Sequence, residues 1–167
     1  MDIDIRRASP AEHLALGEIT TQAYLVDGHL DFGSEDPYLS KLRDVAGRAD
    51  SAEVLVAVDG AELLGGVTLA LAGGPMAELA TEGEAEIRML ATTPAARRRG
   101  VGEALVRACL ESARESGRLR VVLSTQPSMH AAHRLYERLG FVRAPGRDWN
   151  PLPERDGFRL IVYETSV

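Results

Sequence analysis

Apolar side chains recur along this chain with two periods, and each change of period marks an element. Ile3 and Ile5 alternate with Asp4 and Arg6, which predicts a short first strand. From Ser9 the spacing lengthens. Leu14, Leu16, Ile19 and Ala23 form an imperfect helical stripe to about Val26. Ser9 suits the N-cap of this helix, Pro10 its first position and Glu12 its third. Asp27-Gly28 stops it. After an acidic loop over 27–37, Leu39, Leu42, Val45 and Ala46 predict a second helix over about 38–49. Residues 54–58 read as an alternating strand, Asp59-Gly60 is a hairpin signal, and a return strand runs from 62 to about 71. Gly65-Gly66 predicts a bulge inside it. Ala72-Gly73-Gly74-Pro75 opens a loop that lasts to about Gly83.

The next stretch organises the rest. Over 84–92 the residues alternate again, with Ile87, Met89 and Ala91 on one face and Glu84, Glu86, Arg88 and Thr92 mostly on the other. Pro94 ends this strand. Arg97, Arg98, Arg99, Gly100, Val101 and Gly102 follow, and the period turns helical: Leu105, Ala108, Cys109 and Ser112 recur among Glu103, Arg107, Glu111 and Arg114. The helix fades at Gly117, a fair C-cap. Residues 119–123 form a short buried strand broken by Ser124-Thr125-Gln126-Pro127. Ser128 caps a further helix with Met129, Ala132, Leu135, Tyr136 and Leu139 as its apolar positions. Gly140 ends it and Phe141-Val142 starts another strand. Residues 144–156 are rich in Pro, Gly and charge around Trp149, and Phe158, Leu160, Val162 and Tyr163 form a last strand. There is no internal repeat, low-complexity tract or break in composition, so residues 1–167 read as a single domain.

A strand, a basic glycine loop and a helix in succession point to anion binding. The first turn of a helix has backbone N–H groups without partners and the positive end of the macrodipole. Glycine at 100 and 102 lets a phosphate approach the backbone, and three arginines add donors. The loop lacks the Gly-Lys-Ser/Thr of a phosphate-binding P-loop and the third glycine of a dinucleotide fingerprint. On these grounds two readings stand side by side: a site for a pyrophosphate or sulfate-like ligand, and a basic, solvated helix start.

The residues carry a resemblance that separates these readings. Arg97-x-x-Gly100-x-Gly102 resembles the Gln/Arg-x-x-Gly-x-Gly/Ala signature of the GCN5-related N-acetyltransferase (GNAT) superfamily, which binds the pyrophosphate of acetyl-CoA. Ala85-Glu86-Ile87 stands where many members carry Ala-Glu-Ile. Leu135-Tyr136-Glu137-Arg138-Leu139-Gly140-Phe141 resembles the family's Leu-Tyr-x-x-x-Gly-Phe. These blocks span 84–141, about a third of the chain.

The resemblance implies an α/β fold with a mixed, mostly antiparallel sheet, splayed at its centre, and helices on both sides. It implies an acyltransferase that moves acetyl from acetyl-CoA directly to a primary amine of a small molecule or peptide, without a metal. Leu90, Ala91 and Thr92 would offer backbone groups to the pantetheine arm and thioester, and Arg97 through Gly102 would bind the pyrophosphate. Glu86 occupies the position of a general base, acting directly or through water. Its plainer reading is a strand residue paired with Arg88 or another neighbour, and Glu84 is the fallback base. Tyr136 matches a tyrosine that protonates the departing thiolate, and its plainer reading is a core residue. The family's CoA-binding Asn at the start of this helix is replaced by Met129, and Thr92 replaces an apolar residue at the end of the central strand. His29, His130 and His133 read as surface residues.

Charge and cysteine usage narrow the setting. The net charge of −6 and the absence of a basic face beyond the arginine triplet argue against nucleic acid. Cys109, the one cysteine, excludes an intramolecular disulfide and reads as a buried apolar residue. No apolar run reaches the length of a membrane span, and the N-terminus lacks the pattern of a signal peptide, so a cytoplasmic protein is expected. Of the nineteen lysines and arginines only Lys41 is a lysine. The acidic residues of the 27–37 loop, with His29 and Phe32 among them, stand where the family's acceptor site is covered, and suit either a cationic amine or plain solvation. Three alternatives remain open: a GNAT protein using another acyl-CoA or a protein N-terminus, a non-catalytic acyl-CoA sensor, and, more distantly, a nucleotide-binding protein. Oligomeric state is also open, homodimers being common among proteins resembling this one.

Overall fold

The computed structural model describes residues 3–26 and 33–167. Asp27, His29, Asp31 and Phe32 of the acidic loop lie outside the described residues. Seven strands are present among them: β1 (Asp4–Arg7), β2 (Glu53–Asp59), β3 (Glu62–Leu71), β4 (Glu84–Thr92), β5 (Arg120–Thr125), β6 (Val142–Arg143) and β7 (Ile161–Ser166). They form one sheet in the order β1-β2-β3-β4-β5-β7-β6. Every pairing is antiparallel except β4 with β5, which the helix after the glycine loop connects in parallel. The helices are α1 (His13–Val26), α2 (Tyr38–Arg43), α3 (Val45–Ala49), α4 (Val101–Glu115) and α5 (His130–Arg138).

The sheet is covered on both faces. Leu16 of α1 and Val45 of α3 pack on Val54, Val56 and Val58, while Leu55 and Ala57 join the main core with Leu105, Val106 and Cys109 of α4. Strand β2 is thus not a half-buried alternating strand. It is a continuous apolar run because both of its faces are dry. Tyr136 of α5, Phe141 and Tyr163 extend the α4 side of the core, and Leu39 and Leu42 of α2 build a third cluster on the opposite side.

Several boundaries differ from the sequence expectation, each for a local reason. The second helix is two short ones, broken at Asp44 (φ −81°, ψ 65°), whose carboxylate accepts from the Gly47 N–H at 2.9 Å and caps α3. A single 3₁₀ turn, Pro10–Glu12, precedes α1, and there Glu12 accepts from both the N–H and the hydroxyl of Ser9. The last strand begins at Ile161. Leu160 instead forms an isolated bridge with Trp149. Gly65 and Gly66 serve close approach: a Cβ on Gly66 would stand 2.5 Å from Leu16 Cδ1, and one on Gly65 would collide with the Ala91 carbonyl. The bulge on β3 falls one residue earlier, at Leu64, where the β2 ladder slips.

Candidate active site

Strand β4 is the spine of the site. Thr68 pairs with Arg88 and Gly66 with Ala91, so Met89 and Leu90 together oppose Val67. This is a β-bulge, and Met89 holds it with φ +56°. Because side chains alternate faces, the extra residue reverses the parity of everything after it. Ile87 packs into the α4 side of the core, but Met89 joins Leu39 and Leu42 on the opposite side, and Leu90 packs against the α4 side instead. The expectation that Met89 shares a face with Ile87 is therefore corrected.

On its other edge β4 pairs with β5 only over Glu84–Ile87, the last pair being Ile87 with Leu123. Both strands continue, β4 to Thr92 and β5 to Thr125. The sheet splays there, and the β5-facing backbone groups of 88–92, including those of Leu90, Ala91 and Thr92, have no ladder partner among the described residues.

Both carboxylates of β4 are buried, and they do different things. Glu84, 3% exposed, accepts from Arg147 at 2.8 Å, from the Thr81 N–H at 2.9 Å and from Arg120 at 3.2 Å. Burial alone would push its pKa up. The hydrogen bonds from Arg147, Thr81 and Arg120 outweigh that and hold it down at about 2. Glu84 is an ion-paired anchor, and the idea of it as fallback base is withdrawn. Glu86, 2% exposed, is not paired with Arg88. Its Oε1 accepts from three consecutive backbone N–H groups, those of Glu78 (2.9 Å), Leu79 (2.7 Å) and Ala80 (3.0 Å). Its Oε2 accepts from none of the described residues. Arg88 ties the same loop from the other side, donating to the Met76 carbonyl at 3.0 Å and pairing with Glu78 at 2.8 Å. It also donates to the Tyr38 hydroxyl at 3.2 Å.

The glycine loop leaves a helix start without a cap. Arg98 (φ +66°) and Gly100 (φ +78°) turn the chain through left-handed conformations, and no side chain caps α4. Ala104 is the first residue of the helix whose N–H finds a described acceptor, Gly100 O at 3.0 Å. The N–H groups of Val101, Gly102 and Glu103 have none among the described residues. Arg97 and Arg98 are exposed. Arg99 pairs with Asp59 at 3.4 Å. A Cβ on Gly102 would touch Leu135 at 3.4 Å, so α5 lies close behind the loop. These donors fit a pyrophosphate: several N–H groups and two cations on one concave turn.

Tyr136 stands on the α4 side of the sheet, 6% exposed, against Phe141 and Tyr163. Burial pushes its pKa up, and its hydroxyl bonds to no described side chain. It does not line the cleft that Glu86 lines. That cleft, of about 470 Å³, lies on the other face, between Glu86, Arg88 and Met89 on one side and Trp149, Leu152 and Phe158 on the other. Tyr24 of α1 and Tyr38 of α2 also line it. Trp149 is fixed by its indole N–H, which donates to Ser124 Oγ at 2.9 Å. Of these, sequence reading missed Arg88, Tyr24, Tyr38 and Phe158 as site residues. The aromatic content of 144–160 was the signal present for the last. Met129 also lines the cleft, and His133 is held at the Gln126 carbonyl, 3.0 Å away.

The sequence model of the Acetyltransferase (GNAT) family matches residues 17–141. The chain belongs to the GNAT acetyltransferase family. Solved structures of similar fold include three bacterial and archaeal acetyltransferases. PaiA N-acetyltransferase from Thermoplasma acidophilum, in complex with coenzyme A, is 16% identical over 100% of both chains, with a TM-score of 0.75. Ribosomal-protein-alanine N-acetyltransferase from Brucella melitensis is 20% identical over 98% of this chain and 99% of its own, at 0.74. The yncA protein of Salmonella typhimurium, solved with its cofactor acetyl-CoA, is 19% identical over 99% of this chain and 94% of its own, at 0.72. No curated protein matches this GNAT chain by sequence. Among the described residues, no helix of this GNAT protein is long and apolar enough to cross a membrane.

Proposed function

We propose that this GNAT acetyltransferase moves an acetyl group from acetyl-CoA directly to the primary amine of a small molecule or peptide. One observation carries the reading: Glu86 keeps Oε2 without a partner at a cleft beside the place where β4 and β5 part. Acetyl-CoA, when bound, supplies the acetyl thioester. Arg97, Arg98 and the N–H groups of Gly100, Val101 and Gly102 hold its pyrophosphate, with Arg99 shared between that anion and Asp59. The unpaired backbone of Leu90, Ala91 and Thr92 receives the pantetheine arm as a strand partner and offers N–H groups to the oxyanion as it forms.

An alkylammonium has a pKa of about 10.4 and must lose a proton before it attacks. Glu86 Oε2 takes that proton, directly or through one water, while the three loop N–H groups fix Oε1 and hence the orientation of the carboxylate. The amine nitrogen bonds to the thioester carbon, the C–S bond breaks, and the sulfur needs a proton. Tyr136 supplies it across the gap between the strands, and the second proton that the nitrogen sheds as the amide forms returns through water to the phenolate. The phenol is protonated at neutral pH, and burial, which disfavours the phenolate, requires that the proton be replaced as it is given. We extend the proposal to a cytoplasmic setting. Release of CoA from acetyl-CoA against a panel of polyamines, aminoglycosides, amino acids and short peptides tests the reading. Acceptor-dependent release supports it. Acetyl-CoA binding with no release favours an acyl-CoA sensor, in which Glu86 serves only to clamp the 72–83 loop.

A further inference from the structure

We propose that the acceptor is a small molecule with one primary amine on a compact apolar or aromatic body, and that the walls of the Glu86 cleft select that body. This rests on the acetyl-transfer reading above. Polyamines and aminoglycosides need several unpaired carboxylates, since each buried ammonium without a partner is costly. Among the described residues the cleft does not offer them. Glu78 is consumed by Arg88 at 2.8 Å, Asp36 accepts from the Tyr38 N–H at 2.9 Å, and Glu86 Oε1 is saturated by three N–H groups. Glu154 is exposed to solvent. Glu86 is the one buried carboxylate residue of the described lining, and its Oε2 has no partner among the described residues, which provides for one ammonium or one attacking amine.

Besides three cations (Lys41, Arg88 and Arg155) and the polar Ser124, Thr125 and Gln126, the lining is apolar or aromatic. Met89 enters it because the bulge turned it away from the α4 side. Tyr24, Tyr38, Trp149, Leu152 and Phe158 complete a wall suited to a ring or a branched chain. At roughly 30 Å³ for each water-sized group, the 470 Å³ cleft holds about sixteen such groups. That accommodates an arylalkylamine or an apolar amino acid. Lys41, also at the cleft, gives the carboxylate of an amino acid a counter-charge, so the shared chemistry of amine and apolar body comes from either source.

The protein carries its own reporter, because Trp149 is its only tryptophan and lines the cleft. Phenethylamine and isoamylamine form one arm of a fluorescence titration, phenylalanine and leucine the second, and spermidine, kanamycin and a pentapeptide the third. CoA release is measured in parallel on the same intact protein. The expected result is a saturable change with the first or second arm and a KM at least about tenfold below that of the third. The two apolar arms separate a plain amine from an amino acid. Phe158→Ala is expected to raise KM for the best apolar amine by about tenfold, with kcat and acetyl-CoA affinity little changed. A higher kcat/KM for spermidine, kanamycin or the pentapeptide overturns the proposal and leaves acetyl transfer standing. So does a protein that binds acetyl-CoA yet gives no saturable change with any apolar amine. Failure to bind acetyl-CoA, or to release CoA with any amine, removes the acetyl-transfer reading itself.

Discussion

Glu86→Gln separates the two jobs that the structure gives this side chain. As a clamp, Oε1 accepts three backbone N–H bonds from residues 78–80, and the amide oxygen of Gln can accept the same three. What is lost is the charge. Hydrogen bonds to an ionised group contribute about 1.5–3 kcal/mol against about 0.5–1.5 for neutral pairs. Three bonds on one oxygen do not add fully, so a total loss of about 2 kcal/mol is expected. For a chain of this size that corresponds to a fall in Tm of roughly 4–8 °C. As a proton acceptor, Oε2 is replaced by an amide nitrogen that cannot take a proton, and general-base catalysis is typically worth about 10²–10⁴-fold. The assay has three readings on one preparation: Tm, acetyl-CoA affinity by calorimetry, and CoA release with a working acceptor across pH. The expected pattern is a modest Tm loss, unchanged acetyl-CoA affinity, and a fall of at least about a hundredfold in kcat/KM at neutral pH. The fall should shrink as pH approaches the pKa of the acceptor amine, where the free base exists without help. A variant that shows the Tm loss but keeps its activity at every pH refutes the base assignment and leaves Glu86 as a loop clamp.

Three further outcomes test neighbouring parts. Arg97→Ala with Gly100→Ala is expected to weaken acetyl-CoA binding at least about tenfold in calorimetry. It removes an exposed cation and forces a Cβ into φ +78° at the uncapped start of α4. An unchanged affinity sinks the pyrophosphate assignment. Tyr136→Phe is expected to lower kcat more than acetyl-CoA affinity, and an intact kcat at all pH values makes Tyr136 a core residue only. Glu84 gives a pH dependence of stability. Its folded-state pKa of about 2 lies below the ordinary 4.5, so the unfolded chain takes up the proton first as pH falls. The stabilisation is complete above about pH 4.5 and is lost as pH falls towards 2, roughly 3 kcal/mol at most. Tm measured over that window should fall more steeply for the natural protein than for Glu84→Gln; equal slopes refute the account.

The sequence announced the frame of the site more clearly than its interior. Arg97, Gly100 and Gly102 are legible because anion binding by backbone needs glycine at set places, and that need leaves a signature in residue type. The free backbone of 90–92 leaves no such mark, because any side chain can hang from it. Only the distance from the glycine loop located it. Alternation was the wrong guide to both carboxylates. Glu84 and Glu86 looked like the polar, solvated side of a half-buried strand. The 72–83 loop and Arg147 close over that side, so both are buried, and the partners of Glu84 and of Glu86 Oε1 are remote in sequence or belong to a backbone.

The bulge at Met89 is the deepest of these departures. Nothing in Arg88-Met89-Leu90 suggests a left-handed residue, since neither glycine nor asparagine is present. A strained conformation at a bulky residue costs of order 1–3 kcal/mol and persists only where packing enforces it. Here the enforcement is visible on both sides: Leu39 and Leu42 receive Met89, while the α4 side of the core receives Leu90. One extra residue thereby does two things. It turns an apolar side chain into the cleft beside Glu86, and it coincides with the point where β4 leaves β5. The wall proposed to meet the acceptor and the unpaired backbone proposed to meet acetyl-CoA therefore follow from the same local slip. A periodicity argument, which assumes that parity is kept along a strand, could recover neither.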